Sequence, residues 1–93
     1  MKTCLIVDDS AVIRKVARRI LSDLQFAITE AEYGTDALIK CRGQMPDVIL
    51  LVHVLPDMTA VEFIETIKRR GGPKMPSILL CISEFDVPKI MKA

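Results

Sequence analysis

The apolar positions of this chain alternate between two kinds of spacing. Continuous runs, "TCLIV" (3–7), "VILLV" (48–52) and "SILLCI" (77–82), read as strands covered on both faces. "FAIT" (26–29) is brief and more polar at its end, as an edge strand tends to be. Between the runs the spacing changes to threes and fours. Val12, Ile13, Val16, Ala17, Ile20, Leu21 and Leu24 follow Ser10, a helix cap, and Arg14, Lys15, Arg18 and Arg19 take the opposite face. Gly34 marks a turn, and Thr35 caps a helix through Ala37, Leu38 and Cys41. A third helix buries Ala60, Phe63, Ile64 and Ile67. It ends on Lys68, Arg69 and Arg70, where the helix dipole favours cations, and Gly71-Gly72-Pro73 stops it. Ser83 or Asp86 starts a last helix, with Pro88 in its first turn. The order is βαβαβαβα with short connections, which calls for a parallel sheet, helices on both faces and right-handed crossovers. The pattern leaves the strand order open.

Composition narrows the class. At 93 residues, 51% apolar and 27% charged, the chain is expected to fold as one small domain. A net charge of +1 argues against bulk binding of nucleic acid. The longest apolar stretch, 48–55, is too short to span a membrane. The first apolar run stops at Asp8 and Asp9, which is not the layout of a secretory signal, so a cytoplasmic location is expected. Cys4, Cys41 and Cys81 are widely spaced, without a CxxC pair, and read as reduced thiols in or near a core. They and His53 are too scattered to suggest a zinc site.

In a sheet of this kind ligands bind at the carboxyl ends of the strands. The groups there are Asp8 and Asp9, Glu30, Val52 to Val54, and Cys81 to Ser83. Adjacent carboxylates repel, which is tolerable in solvent or around a hard cation such as Mg2+. Alternatively, Asp8, Asp9 and Ser10 simply end a strand and cap a helix. Residue types alone leave both readings open. By strand alternation His53 points away from Val52 into the helix layer, as a structural histidine. Asp57 reads as a surface acid in a loop. No GxGxxG or GxxxxGK[ST] supports a nucleotide-dependent enzyme, and no His stands obviously beside Cys41 or Cys81.

Four spaced blocks, "CLIVDDSAVIRKVARRIL", "AEYGTDAL", "MPDVILL" followed by "LPDMTAVEF", and "PSILLCISEFDV", resemble the bacterial response-regulator receiver domain. The resemblance covers essentially the whole chain. It implies an α/β, flavodoxin-like open sheet in three layers, with strand order 2-1-3-4 and a fifth βα unit missing beyond Ala93. It also implies a role in two-component phosphorelay signalling. An active receiver takes a phosphoryl group from a histidine kinase onto an aspartate ending its third strand. Two acids after strand one help to hold Mg2+, and a Ser or Thr and a Lys bind the phosphoryl oxygens.

Carried onto this sequence, the acidic pair is Asp8 and Asp9, with the Val54 backbone carbonyl as a further Mg2+ ligand. The acceptor position falls on Val52, the hydroxyl position on Cys81, and the Lys lies beyond the sequence. An acyl phosphate needs a carboxylate oxygen, and Val has no lone pair. A thiol is a weak donor, and without the Lys the phosphoryl charge loses a fixed cation. Any Mg2+ binding is expected to be weak.

The expected role is therefore a receiver-like module that binds proteins and carries no phosphate. An altered or truncated phosphorelay regulator and a weak Mg2+-dependent enzyme using Asp8 and Asp9 stand as alternatives. Expected partners are a histidine kinase or phosphotransferase, met through Arg14, Lys15, Arg18 and Arg19. A second copy, met through the fourth strand or a bared sheet face, is the other expectation.

Overall fold

A computed structural model describes residues 1–70 and 75–81 of the chain. Four strands, β1 (Thr3–Val7), β2 (Ala27–Ala31), β3 (Val48–Val52) and β4 (Ser77–Cys81), form one parallel sheet in the order β2-β1-β3-β4. The helices are α1 (Ala11–Asp23), α2 (Gly34–Gly43) and α3 (Ala60–Arg70). The expected strand order holds, and so does β2 as an edge. The helix expected from Ser83 or Asp86 lies outside the described residues.

The order reverses after β2, so right-handed crossovers put α1 on one face and α2 and α3 on the other. The main core lies under α2 and α3. Leu5, Val7, Ile49 and Leu51 meet Ala37, Leu38, Cys41, Phe63 and Ile67 there. Asp47 fixes the lower end of the sheet: its carboxylate accepts the Thr3 N–H at 2.8 Å, and its carbonyl accepts the Ser77 N–H at 3.0 Å. One side chain therefore holds β1, and one carbonyl of the same residue holds β4.

α1 departs from its expected burial. None of its residues is fully buried, and Ile13, Val16 and Ile20 are exposed. The helix lies over β1 and β2, and the side chains turned toward the sheet are Arg14, Ala17 and Leu21. Its apolar stripe is wider than the strip of sheet it covers. β4 is less covered than a strand buried on both faces: it is the last strand among the described residues, and Leu79 and Leu80 are exposed, as the expected bared fourth strand implies. β2 starts one residue later than expected and runs on to Ala31.

Candidate functional site

Asp8 follows β1 directly and is only 5% exposed. Its N–H donates to the Ala31 carbonyl at 3.1 Å, which holds it against the end of β2. One carboxylate oxygen accepts the Ser10 N–H at 2.8 Å. Ser10 in turn caps α1, its hydroxyl accepting the Ile13 N–H at 3.2 Å. Burial pushes the Asp8 carboxyl above the usual range; the Ser10 N–H opposes this and the negative Asp9 reinforces it. Asp9 is exposed.

Val52, ending β3, is half-buried and packs against the core cluster. It is in register with Cys81 of β4, and the two strands are tied where the His53 N–H meets the Cys81 carbonyl at 3.0 Å. The Cys81 thiol is raised, first by burial and then by the negative Asp8. It therefore stays protonated at neutral pH and is a poor nucleophile. The mouth of the sheet thus brings together two carboxylates, a thiol and an isopropyl group. Among the described residues no three His, Cys, Asp or Glu side chains gather as a metal site.

His53 is not in the helix layer. It is exposed, because the chain leaves the sheet after Val52 and strand alternation no longer applies. Its carbonyl accepts the Ala60 N–H at 3.0 Å, and the Leu55 N–H donates to the Met58 carbonyl at 2.9 Å, so residues 53–60 form a closed loop. The Val54 carbonyl takes no part in these two bonds. Thr59 and Glu62 cap α3 reciprocally: the Glu62 N–H donates to the Thr59 hydroxyl at 3.2 Å, and the Thr59 N–H to the Glu62 carboxylate at 3.4 Å.

Asp57 has a role that its sequence position conceals. Its two carboxylate oxygens accept the Gly34 and Thr35 N–H groups, each at 2.9 Å. Thr35 is therefore not the cap of α2; Tyr33 holds that position without a side-chain bond, and Asp57 supplies the cap from another part of the chain. Slight burial works to raise the Asp57 carboxyl, but the Thr35 and Gly34 donors outweigh it and leave it below the usual range. Met58 sits where a side chain on Gly34 would stand. No local pattern signals a contact across 22 or 23 residues. Asp57 faces α2 and is no substitute for a missing acid beside Asp8.

The basic face of α1 divides in two. Arg14 bonds Glu30 at 3.1 Å and the Asp8 carbonyl at 2.7 Å, and Arg18 bonds Glu30 at 2.6 Å. Arg14 thus lies inward and not on the outer face expected for it. Lys15 and Arg19 are exposed. Glu30, expected at the mouth, is held by these two arginines.

The response regulator receiver domain model matches residues 4–93. This chain belongs to the receiver family. TcrX of Mycobacterium tuberculosis (strain ATCC 25618 / H37Rv), a probable transcriptional regulatory protein, is 35% identical over 84% of this chain and 33% of its own length. The two-component response regulator ORR6 of Oryza sativa subsp. japonica is 33% identical over 90% of this chain and 51% of its own. The receiver spans a third to a half of these relatives. Among solved structures, the chemotaxis response regulator CheY4 of Vibrio cholerae superposes with a TM-score of 0.86 at 30% identity. That match takes in 99% of this chain and 77% of that one. The chain is thus the receiver domain of a two-component response regulator. No described helix is long and apolar enough to cross a membrane.

Receivers commonly hold Mg2+ at their phosphorylation site, and the donors present here fit that ion poorly. One Asp8 oxygen is engaged by Ser10, Asp9 is open to solvent, and Val52 offers nothing. The mouth lacks a third oxygen-bearing side chain on β3.

Proposed function

We propose that this receiver signals by binding proteins and does not carry a phosphoryl group. The observation that supports the reading is Val52 at the end of β3, where its methyl groups pack against the core. Phosphoryl capture by an acid requires an ionised oxygen at the point of attack, and hydrocarbon supplies none. The neighbours do not replace it. Cys81 is held as a neutral thiol, Asp57 is bound to α2, and Asp8 is held by Ser10.

In this reading the module sits in the cytoplasm and is not an enzyme. Mg2+ binds weakly at Asp8 and Asp9, with help from the Val54 carbonyl. The partner is a histidine kinase or phosphotransferase, recognised through α1. Lys15 and Arg19 are free to meet its acidic groups, while Arg14 and Arg18 hold the helix on β2 through Glu30. Charges at such a rim steer encounter more than they add affinity. Exchanging Lys15 and Arg19 for Glu is expected to slow association, whereas exchanging Arg14 loosens α1 itself.

Beryllium trifluoride, a tetrahedral mimic of a phosphoryl group, tests the reading. With Mg2+ present, fluorine NMR of the wild-type chain is expected to show only free fluoride species. Val52→Asp is expected to add a bound signal if the rest of the mouth is intact. A bound signal in the wild type contradicts the proposal.

A further inference from the structure

The outer edge of the sheet at β2 uses only part of its backbone. The Ala27 N–H donates to the Lys2 carbonyl, and the Ala31 carbonyl accepts the Asp8 N–H, so these residues turn their polar groups toward β1. In a parallel pair such residues alternate with ones that turn theirs away, here Ile28 and Glu30. Lys40 of α2 reaches across to the Glu30 carbonyl. The Ile28 N–H and carbonyl meet no partner among the described residues. Beside them, between β2 and the end of α2, lies a cavity of about 540 Å3, within the size range of ligand pockets. Leu5, Ala27 and Pro46 give it apolar walls, and Thr29, Lys40 and Gln44 polar ones. Gly43 leaves it open from the helix side, since a Cβ there would meet no atom within 4 Å. β2 lies three strands from β4 and is an outer strand in the flavodoxin-like order, so this edge is not one that a further unit after β4 would pair with.

We propose that this groove takes an extended segment of a partner protein, added to the sheet beside β2, with apolar side chains at alternate positions. A residue with both backbone groups turned outward is what a neighbouring strand pairs with, and Ile28 offers one donor and one acceptor. Alternate side chains of an added strand fall on one face of the sheet. On the α2 face they enter the cavity, whose apolar walls take them out of water. Lys40 limits the contact. With the Glu30 carbonyl taken, pairing is confined to the stretch around Ile28, and the edge is blunted against long strands. A second copy of this chain fits poorly. Its own β2 carries Ala27 and Thr29 on the α2 face, in register with Thr3 and Leu5, and both are too small to fill the cavity. The partner therefore brings larger residues such as Leu or Phe. The groove lies on the opposite face of the sheet from α1, and the proposal stands or falls separately from the reading of Val52.

Heteronuclear NMR of the full chain tests it, with the peptide Thr-Leu-Thr-Phe-Thr, capped at both ends, as the probe. The peptide is expected to shift the Ile28 amide downfield, to slow its exchange with solvent, and to move the Thr29, Gly43 and Gln44 signals. The same peptide with Ser in place of Leu and Phe is expected to bind at least about tenfold more weakly, because it buries no apolar side chain. Gly43→Leu fills the cavity from the helix side without a clash, and Leu favours helix, so the fold is kept. Its affinity for the probe is expected to fall by a similar factor. The proposal is overturned if millimolar peptide leaves Ile28 unmoved, or if the Ser peptide or the Gly43→Leu chain binds as well as the original pair. It is overturned too if Ile28 shifts with protein concentration alone, since a second copy then occupies the edge.

Discussion

Asp8 and Asp57 are acids shifted in opposite directions, and the difference is legible in what donates to each. Asp57 takes two backbone N–H groups at the start of a helix, which favour its charged form. Its stabilising effect is present above the unfolded value of about 4 and is lost as pH falls through the depressed folded value. Asp57→Ala is expected to cost about 1 kcal/mol, in the range of a lost helix cap, and to speed amide exchange at Gly34 and Thr35. Asp57→Asn is expected to lose the acid-side dependence of stability. Asp8 has the opposite sign. With its folded value raised, the native state is favoured below the unfolded value and penalised as pH rises through the folded one. Asp8→Asn keeps an oxygen for the Ser10 N–H, and thermal unfolding at neutral pH is expected to show a gain of about 0.5–2 kcal/mol, the usual scale of stabilising substitutions. The gain shrinks toward pH 4. The sequence placed Asp8, Asp9, Val52 and Cys81 at strand ends, because a strand followed by a loop is a local pattern. It misplaced His53 and left Asp57 unexplained, since neither a departing chain nor a distant cap has a local signature.

The elements were legible where one face alone decides burial. α3 buries Ala60, Phe63 and Ile67 as its spacing indicates, and β1 and β3 keep their expected bounds. α1 was harder, because an apolar stripe reports which residues avoid water and not which neighbour covers them. The end of α1 shows a second kind of detail. The Phe26 N–H reaches the Leu21 carbonyl at 3.1 Å and the Gln25 N–H reaches Ser22 at 2.9 Å, the two bonds of a Schellman motif. Gln25 occupies its left-handed position with φ 67°, where a Cβ is unfavourable. Gln25→Gly is expected to stabilise the fold by up to about 1 kcal/mol in denaturant melts, because the folded state no longer bears that strain. Loss of stability would mean that the Gln25 side chain makes a compensating contact.

At the scale of the molecule, alternating strands and helices fixed the class, whereas the strand order came from the family resemblance and is seen in the sheet. That order gathers the ends of β1, β3 and β4 at one mouth. In the proposed reading, Val52 leaves the mouth without an acid on β3 while the scaffold around it is kept. Val52 packs against the core, where its hydrocarbon needs no solvation. With hydrocarbon at Val52, this mouth is expected not to hold phosphate covalently. Intact-mass measurement after incubation with Mg2+ and a small acyl phosphate decides the point. The chain is expected to keep its original mass, and a stable gain of one phosphoryl group at Asp8, Asp9 or Asp57 would contradict the account.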